Sequence, residues 1–238
     1  MLEGLKDPLA VVQAASLLDK KLQKIGLYIS TSTDFEEFER VRLNETCASD
    51  VSPMFDTSIN KLDASNAFWI SLRTKKGKLG AVQAFRLDTA DGTLADWAMR
   101  WMVGLYILRS ELVVPARPQA PAGSVTRQIS GSVVYQGELW VSKDYRDNFC
   151  STVFPRLGMV LCLLKWQPNA MWGLMTEKVA TRGLTIRIGY PFIERGFLQW
   201  KVPPKGADKS EVVVFARKED LEFIADQTLE EELLEQES

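Results

Sequence analysis

The 238-residue chain contains no histidine. That absence removes the commonest general base, the commonest zinc ligand and every Ser-His or Cys-His nucleophile pair. Any chemistry must then be carried by carboxylates, tyrosine, cysteine, water or the backbone. Cysteine is scarce too: Cys47, Cys150 and Cys162 are an odd, widely spaced set with no Cys-x-x-Cys, so neither a disulfide framework nor a metal site is expected. Long apolar runs are also missing. The two longest, 101–108 and 159–164, are closed off by Arg100, Arg109, Arg156 and Lys165, well short of the roughly 20 residues that a spanning helix needs. The first 13 residues carry Glu3 and Asp7 without a basic start, which does not read as a signal peptide. The expectation is a soluble, cytoplasmic protein in a reducing compartment, with no membrane partner.

What is present is the composition of an ordinary globular protein, 46% hydrophobic and 25% charged. A folded chain of this size hides roughly 70% of the surface its unfolded form exposes, so a core needs no metal or cross-link. The net charge of −2 conceals an asymmetry. From Glu219 onward there are nine acidic residues and no Lys or Arg, which leaves 22 acidic against 29 basic residues in the body, about +7. A positive body suits an anionic ligand such as a phosphorylated cofactor. The tail, 228–238 (TLEEELLEQES), reads as a frayed, solvated helix end in preference to a screen over a basic cleft.

Periodicity divides the chain into alternating elements. Residues 9–24 form an amphipathic helix with Leu9, Val12, Leu17, Leu18 and Leu22 at helical spacing, stopped by Gly26. A short strand, 27–30, precedes a helix, 35–45, capped by Thr33 or Asp34. The polar stretch 46–65 is a loop suited to rim a binding site. Residues 67–87 predict a hairpin around the turn 74–77, and 93–113 a helix with Trp97, Trp101, Leu105 and Leu108 on its core stripe. A proline-rich connector, 115–123, leads to strands at 132–135 and 138–141 around Gly137, then a helix at 148–166. Strands at 170–175, 184–190, 196–202 and 211–216 and a short helix at 176–182 complete the pattern. The class is α/β (α+β), with a mixed, largely antiparallel central sheet flanked by helices. Residues 1–24 are a helical extension, 25–225 the main domain and 226–238 an acidic tail.

The segment with most chemical content is 137–151, GELWVSKDYRDNFCS, in which a strand passes through a tight loop into a helix. A helix start offers unpaired amides and the positive end of the dipole to an anion. Arg146 could add a charge-assisted bond to phosphate, and Ser151 and Thr152 hydroxyl donors. A capped helix beside an exposed arginine accounts for the same residues.

This segment looks like the signature of the GNAT superfamily of acyl-CoA-dependent acyltransferases, in which a strand ends in Val-x-Pro-x-Tyr-Arg before a glycine-rich turn. Val141, Tyr145 and Arg146 match, while Lys143 replaces the proline. The resemblance extends over roughly 25–225 and implies that 170–175 splays from the signature strand. It further implies that Leu139, Trp140 and Val141 offer backbone to pantetheine. Arg146, Asp147, Asn148, Phe149, Cys150 and Ser151, with Thr152, would then surround the pyrophosphate. Phe149 stands where the family has glycine, which permits close backbone approach, so its side chain either turns away from the cofactor or blocks it.

For catalysis the family uses a carboxylate or His as base and a Tyr after the next strand as acid. This chain has no His and no Tyr in 176–183, which leaves Glu138, Glu177 and Tyr190 as the catalytic candidates. Strand alternation puts Glu138 on the face opposite Leu139 and Val141. Proximity in an amide-lined site carries much of such a reaction without a dedicated base. The implied activity is transfer of an acyl group from acetyl-CoA or another acyl-CoA to a small-molecule or peptide amine by direct attack. The alternative is a non-catalytic protein of the same fold that binds an acyl-CoA, another anion or a protein partner. An acyl-homoserine-lactone-synthase type of enzyme has similar length, but its motif does not run through this chain. Arg182, Arg187 and Arg195, with Tyr190, Phe192 and Trp200, read as sheet packing more readily than as a nucleic-acid face, so no nucleic acid is expected. Cys150 reads as structural in preference to a reactive thiolate. A homodimer remains open.

Overall fold

The computed structural model describes residues 4–117, 119–146, 149–205, 207 and 210–237. Capping chemistry sets the first boundaries. Asp7 accepts from the Ala10 amide at 3.0 Å and Pro8 needs no amide partner in the first turn, so α1 (Pro8–Lys24) begins there. Gly26, at φ 78°, turns the chain into β1 (Tyr28–Ser32). Asp34 accepts from the Glu37 amide at 2.9 Å and starts α2 (Phe35–Glu45). β2 (Ala67–Arg73) and β3 (Leu79–Thr93) form the expected hairpin, closed where the Gly77 amide donates to the Thr74 carbonyl at 2.9 Å. Thr93 caps α3 (Leu94–Leu108). There follow β4 (Val114–Pro115), a 3-10 turn (Val125–Gln128), β5 (Ser130–Val141), α4 (Lys143–Arg146) and α5 (Cys150–Trp166). The remainder is β6 (Ala170–Thr176), α6 (Glu177–Ala180), α7 (Leu184–Ile188), β7 (Phe192–Val202), β8 (Ser210–Arg217) and α8 (Lys218–Glu237).

The strands form one sheet in the order β1-β2-β3-β5-β6-β8-β7-β4. Its pairs are antiparallel except β5 with β6. Helices cover both faces. On one, α1, α5 and α8 bury Leu18, Leu22, Phe154, Leu163 and Ile224 against Ile70, Phe85, Val134 and Val214. On the other, α2, α3 and the loop after α2 bury Phe38, Phe55, Ala98 and Met102 against Trp69, Ala84, Tyr135 and Trp172. This is the mixed, largely antiparallel α/β arrangement expected.

Five local expectations are corrected. In α1 the buried face is Ala10, Val11, Ala14, Leu18 and Leu22, while Leu9 and Val12 are exposed; small alanines let the helix lie close to its neighbours. In α3 the inward positions are Ala98, Met99, Met102 and Leu105, with Leu108 exposed. Trp97 and Trp101 stack on each other at 5.0 Å over Trp172. Residues 132–141 are a single strand. Residues 184–188 are helical despite a β-branched composition that favours strand: Gly183 and Gly189 take φ of 75° and 109° at either end, and Thr185 and Ile188, three apart, are both buried. The acidic stretch also differs from a frayed end. α8 runs through it, with Thr228 buried, and Lys21 pairs with Glu235 at 2.9 Å and Arg156 with Glu231 at 3.3 Å.

Candidate functional site

β5 and β6 share a ladder only at Val133↔Ala170, Val134↔Met171 and Tyr135↔Trp172, although both strands run on to Val141 and Thr176. A bulge explains the divergence. Against β3, Ala84 faces Gly137 and Val82 faces Trp140, so Glu138 and Leu139 together oppose Gln83. Glu138 takes φ 57°, a left-handed conformation unusual for a residue with a side chain. The extra residue shifts the alternation: Val134 before the bulge and Leu139 and Val141 after it belong to the α5 side, while Tyr135 and Trp140 belong to the α3 side. At the root of the splay the strands are very close, for a Cβ on Gly173 would stand 2.9 Å from the Gln136 carbonyl oxygen.

What opens beyond this root is a cleft of about 350 Å³. Its walls are 135–139 of β5, Gly173, Leu174, Met175 and Thr176 of β6, Val179 of α6, Leu184 and Ile188 of α7, then Tyr190 and Val214. The lining is chiefly apolar, with the backbone of β5 along one side.

Two polar systems hold the cleft's β5 wall. The Glu138 carboxylate accepts from Arg42 Nε at 2.8 Å and from the Ser52 amide at 2.8 Å, and a terminal Arg42 nitrogen lies 2.6 Å from it. The two side chains are only 12% and 9% exposed, so this buried ion pair ties α2 and the following loop to the strained bulge. On the opposite face, the Tyr190 hydroxyl donates to Gln136 Oε1 at 2.5 Å, Gln136 Nε2 to Gln83 Oε1 at 2.6 Å, and Gln83 Nε2 to the Phe154 carbonyl at 2.7 Å. This relay joins the cleft to α5. Burial pushes the Tyr190 phenol well above its ordinary range, so it is a neutral donor.

The structure places the remaining candidates as follows. Glu138, Leu139 and Tyr190 line the cleft; Trp140 packs toward α3 and Val141 is buried toward α5. Glu177 starts α6 outside the cleft wall and pairs with Arg195 Nε at 2.9 Å. In the turn before α5, Arg146 Nε donates to the Val141 carbonyl at 2.8 Å and Ser151 Oγ to the Arg146 carbonyl at 3.1 Å. The Thr152 and Val153 amides both donate to the Phe149 carbonyl. Phe149 is 44% exposed and is not part of the cleft wall. Asp147 and Asn148 lie outside the described residues. Cys150 is buried, and burial pushes its thiol up to about 11, the opposite of an activated thiolate.

A second cavity, of about 370 Å³ and more polar, lies between the loop after α2 and the chain joining β7 to β8. Residues 48–53, Tyr106, Arg109, Glu111, Lys205 and Glu211 are in its wall. Arg109 pairs with Asp50, with Glu111 at 2.8 Å and with Asp56 at 3.5 Å, so carboxylates outnumber cations there. Burial first, then Glu211 and Glu111, push the Tyr106 phenol upward. Ser52 lines this cavity while its amide bonds Glu138 of the cleft wall, so one hydrogen bond links the two walls.

Sequence reasoning missed Arg42, Ser52, Gln83, Gln136 and Arg109. The glutamines carried a usable signal, since each interrupts an apolar strand, in GAVQAF and VVYQGEL. Among the described residues no cluster that could hold a metal is found, and no helix is long and apolar enough to cross a membrane.

No family model matches the chain, and no curated protein matches it. Among solved structures it is similar to Arabidopsis thaliana NAA60 in complex with acetyl-CoA, at 11% identity over 80% of this chain and 98% of that one, with a TM-score of 0.47. It is similar as well to spermidine N-acetyltransferase from Vibrio cholerae in complex with CoA and spermine (6% identity, 83% and 98% covered, TM-score 0.44). FeeM, an N-acyl amino acid synthase from uncultured soil microbes, covers more of this chain at a lower score (10% identity, 91% and 90% covered, TM-score 0.36).

Proposed function

We propose that the chain is an acyltransferase that moves an acyl group from an acyl-CoA, acetyl-CoA in the simplest case, to an amine. The observation that supports this most directly is the bulged splay of β5 from β6. Beyond Tyr135 the β5 backbone faces an apolar cleft in place of a partner strand. Backbone groups at such an edge seek hydrogen bonds, and an extended arm carrying amides, such as pantetheine, supplies them in the manner of an added strand. Leu139, Leu174 and Met175 would bury its apolar stem. Arg146 and, at the start of α5, Phe149, Cys150, Ser151 and Thr152 would meet the phosphates, with Asp147 and Asn148 as further candidates from the sequence; Phe149 is not part of the cleft wall. When bound, the thioester supplies an activated acyl carbon open to direct attack by an amine, with the thiol as leaving group.

The chain's own residues then divide the work. The polar cavity, whose wall carries Asp50, Glu111 and Glu211 against Arg109 and Lys205, favours a cationic amine. Glu138 lines the cleft, with its charge balanced by Arg42. Both its oxygens are engaged by Arg42 and Ser52, so its role in this reading is positional: it holds the bulge. Tyr190 donates to Gln136 and holds β5 in place from the other side. Glu177, outside the cleft wall, has no part in it.

One observation favours a second reading, a non-catalytic protein that binds acyl-CoA or another anion: Glu138 is tied up and Tyr190 is a poor acid. Thiol release from acetyl-CoA and from a longer acyl-CoA, followed with a panel of diamines, amino acids and short peptides, separates the two. Amine-dependent release that falls in Arg146→Ala supports the enzyme. Binding without release supports the second reading, and the absence of both overturns the site.

A further inference from the structure

The two terminal helices, which the proposed reaction does not use, present a surface of their own. α1 and α8 run side by side in the same direction: the Lys6 amide donates to Glu222 at 3.1 Å near their starts, and Lys21 pairs with Glu235 at 2.9 Å near their ends. Between them lies a groove of about 420 Å³ lined by Leu17, Leu229 and Leu233, with Lys20 and Glu232 also in its wall. Leu233 is 62% exposed, and the exposed Leu9 and Val12 continue the apolar strip along the same face of α1. A contiguous apolar strip with a charged rim is the signature of an association surface.

The charges identify what covers it. α8 carries carboxylates along its length, from Glu219 and Asp220 through Asp226 to Glu230 and Glu235, whereas the second half of α1 carries Lys20, Lys21 and Lys24. Lys21 is paired within its own chain, and a two-fold axis that lays α1 of one copy over α8 of another places the exposed Lys20 and Lys24 against carboxylates in either orientation, because the acidic run covers both ends of α8. The same run repels an anionic bilayer. We propose that two copies of this chain associate through α1 and α8 about a two-fold axis, forming a four-helix layer with leucines inside and Lys–Glu pairs at the rim.

Sedimentation velocity of the full chain over a range of concentrations tests this. The expected result is a species of twice 26.8 kDa that dissociates on dilution and, through loss of its rim pairs, dissociates further in high salt. Leu233→Glu and Val12→Glu should each weaken association at least about tenfold, and Lys20→Glu should weaken it with the salt dependence reduced. All three positions are exposed, so circular dichroism should be unchanged, and Leu43→Glu, an exposed leucine on α2, should leave the dimer intact. A monomer up to millimolar concentration, or a dimer equally tight in Leu233→Glu and Lys20→Glu, overturns the proposal.

Discussion

Replacing Arg42 with methionine keeps most of the side-chain stem and removes the cation from a carboxylate that is 9% exposed. In the wild-type chain Glu138 has two charged contacts from Arg42 and one amide bond from Ser52; in the variant only the amide bond is left. Breaking one member of a buried pair costs about 3–5 kcal/mol, and the surviving bond puts the expectation near the lower end, about 3 kcal/mol. For a chain of this length each kcal/mol moves the melting temperature by about 2–4 °C, so a fall of about 6–12 °C should be seen. Removing both charges, Arg42→Met with Glu138→Gln, buries no lone ion and should cost only about 1–2 kcal/mol. The double variant thus costs about 1–2 kcal/mol less than Arg42→Met alone, so the coupling is at least that large, with the cost of the single Glu138→Gln variant added to it, and stands above the noise of a double-mutant cycle. Urea denaturation with constant m-values measures it. A loss under 1 kcal/mol for Arg42→Met, or losses that simply add, would refute the view that this pair holds the bulge.

Three further outcomes are expected. Gly173→Ala puts a Cβ at 2.9 Å from the Gln136 carbonyl, so the root of the splay must open; a loss of about 1–3 kcal/mol in denaturation should accompany weaker CoA binding in calorimetry. Tyr190→Phe leaves the buried Gln136 Oε1 without its donor and should cost about 1–3 kcal/mol, read as a lowered urea midpoint. A thiol reagent should titrate only the exposed Cys47 in the folded protein and all three cysteines once it is unfolded. Because burial raises Cys150 from 9 to about 11, the stability contributed by its held proton is complete below about pH 9 and disappears as pH rises through 11; denaturation midpoints should decline over that window, and less so in Cys150→Ala.

The hairpin of β2 and β3 was legible because a Lys-Gly turn separates two strongly β-forming runs, and the caps of α2 and α3 were legible because Asp34 and Thr93 act within three residues of themselves. The bulge was not. Nothing in VVYQGELWV says which residue is doubled; Gly137 drew attention to a break, yet the residue at positive φ is Glu138. Its partner Arg42 lies 96 residues away on a helix whose charges all look solvated, so only the tertiary fold brings them together. The segment 184–190 misled for a related reason: composition favoured a strand, while two glycines at positive φ and packing on α5 and α8 select a turn of helix. Phe149 left two options in the sequence; it is 44% exposed and outside the cleft wall, which bears on the cleft and not on the phosphate turn.

The reading of the cleft meets its most direct test in calorimetric titration of the purified chain with CoA, alongside Gly173→Val, whose larger side chain crowds the Gln136 carbonyl at the root of the splay while leaving the phosphate turn untouched. Micromolar binding to the wild-type chain, lost or strongly weakened in a Gly173→Val protein that remains folded, is the predicted result. No heat with the wild-type chain, or equal affinity in both proteins, would contradict a pantetheine site between β5 and β6.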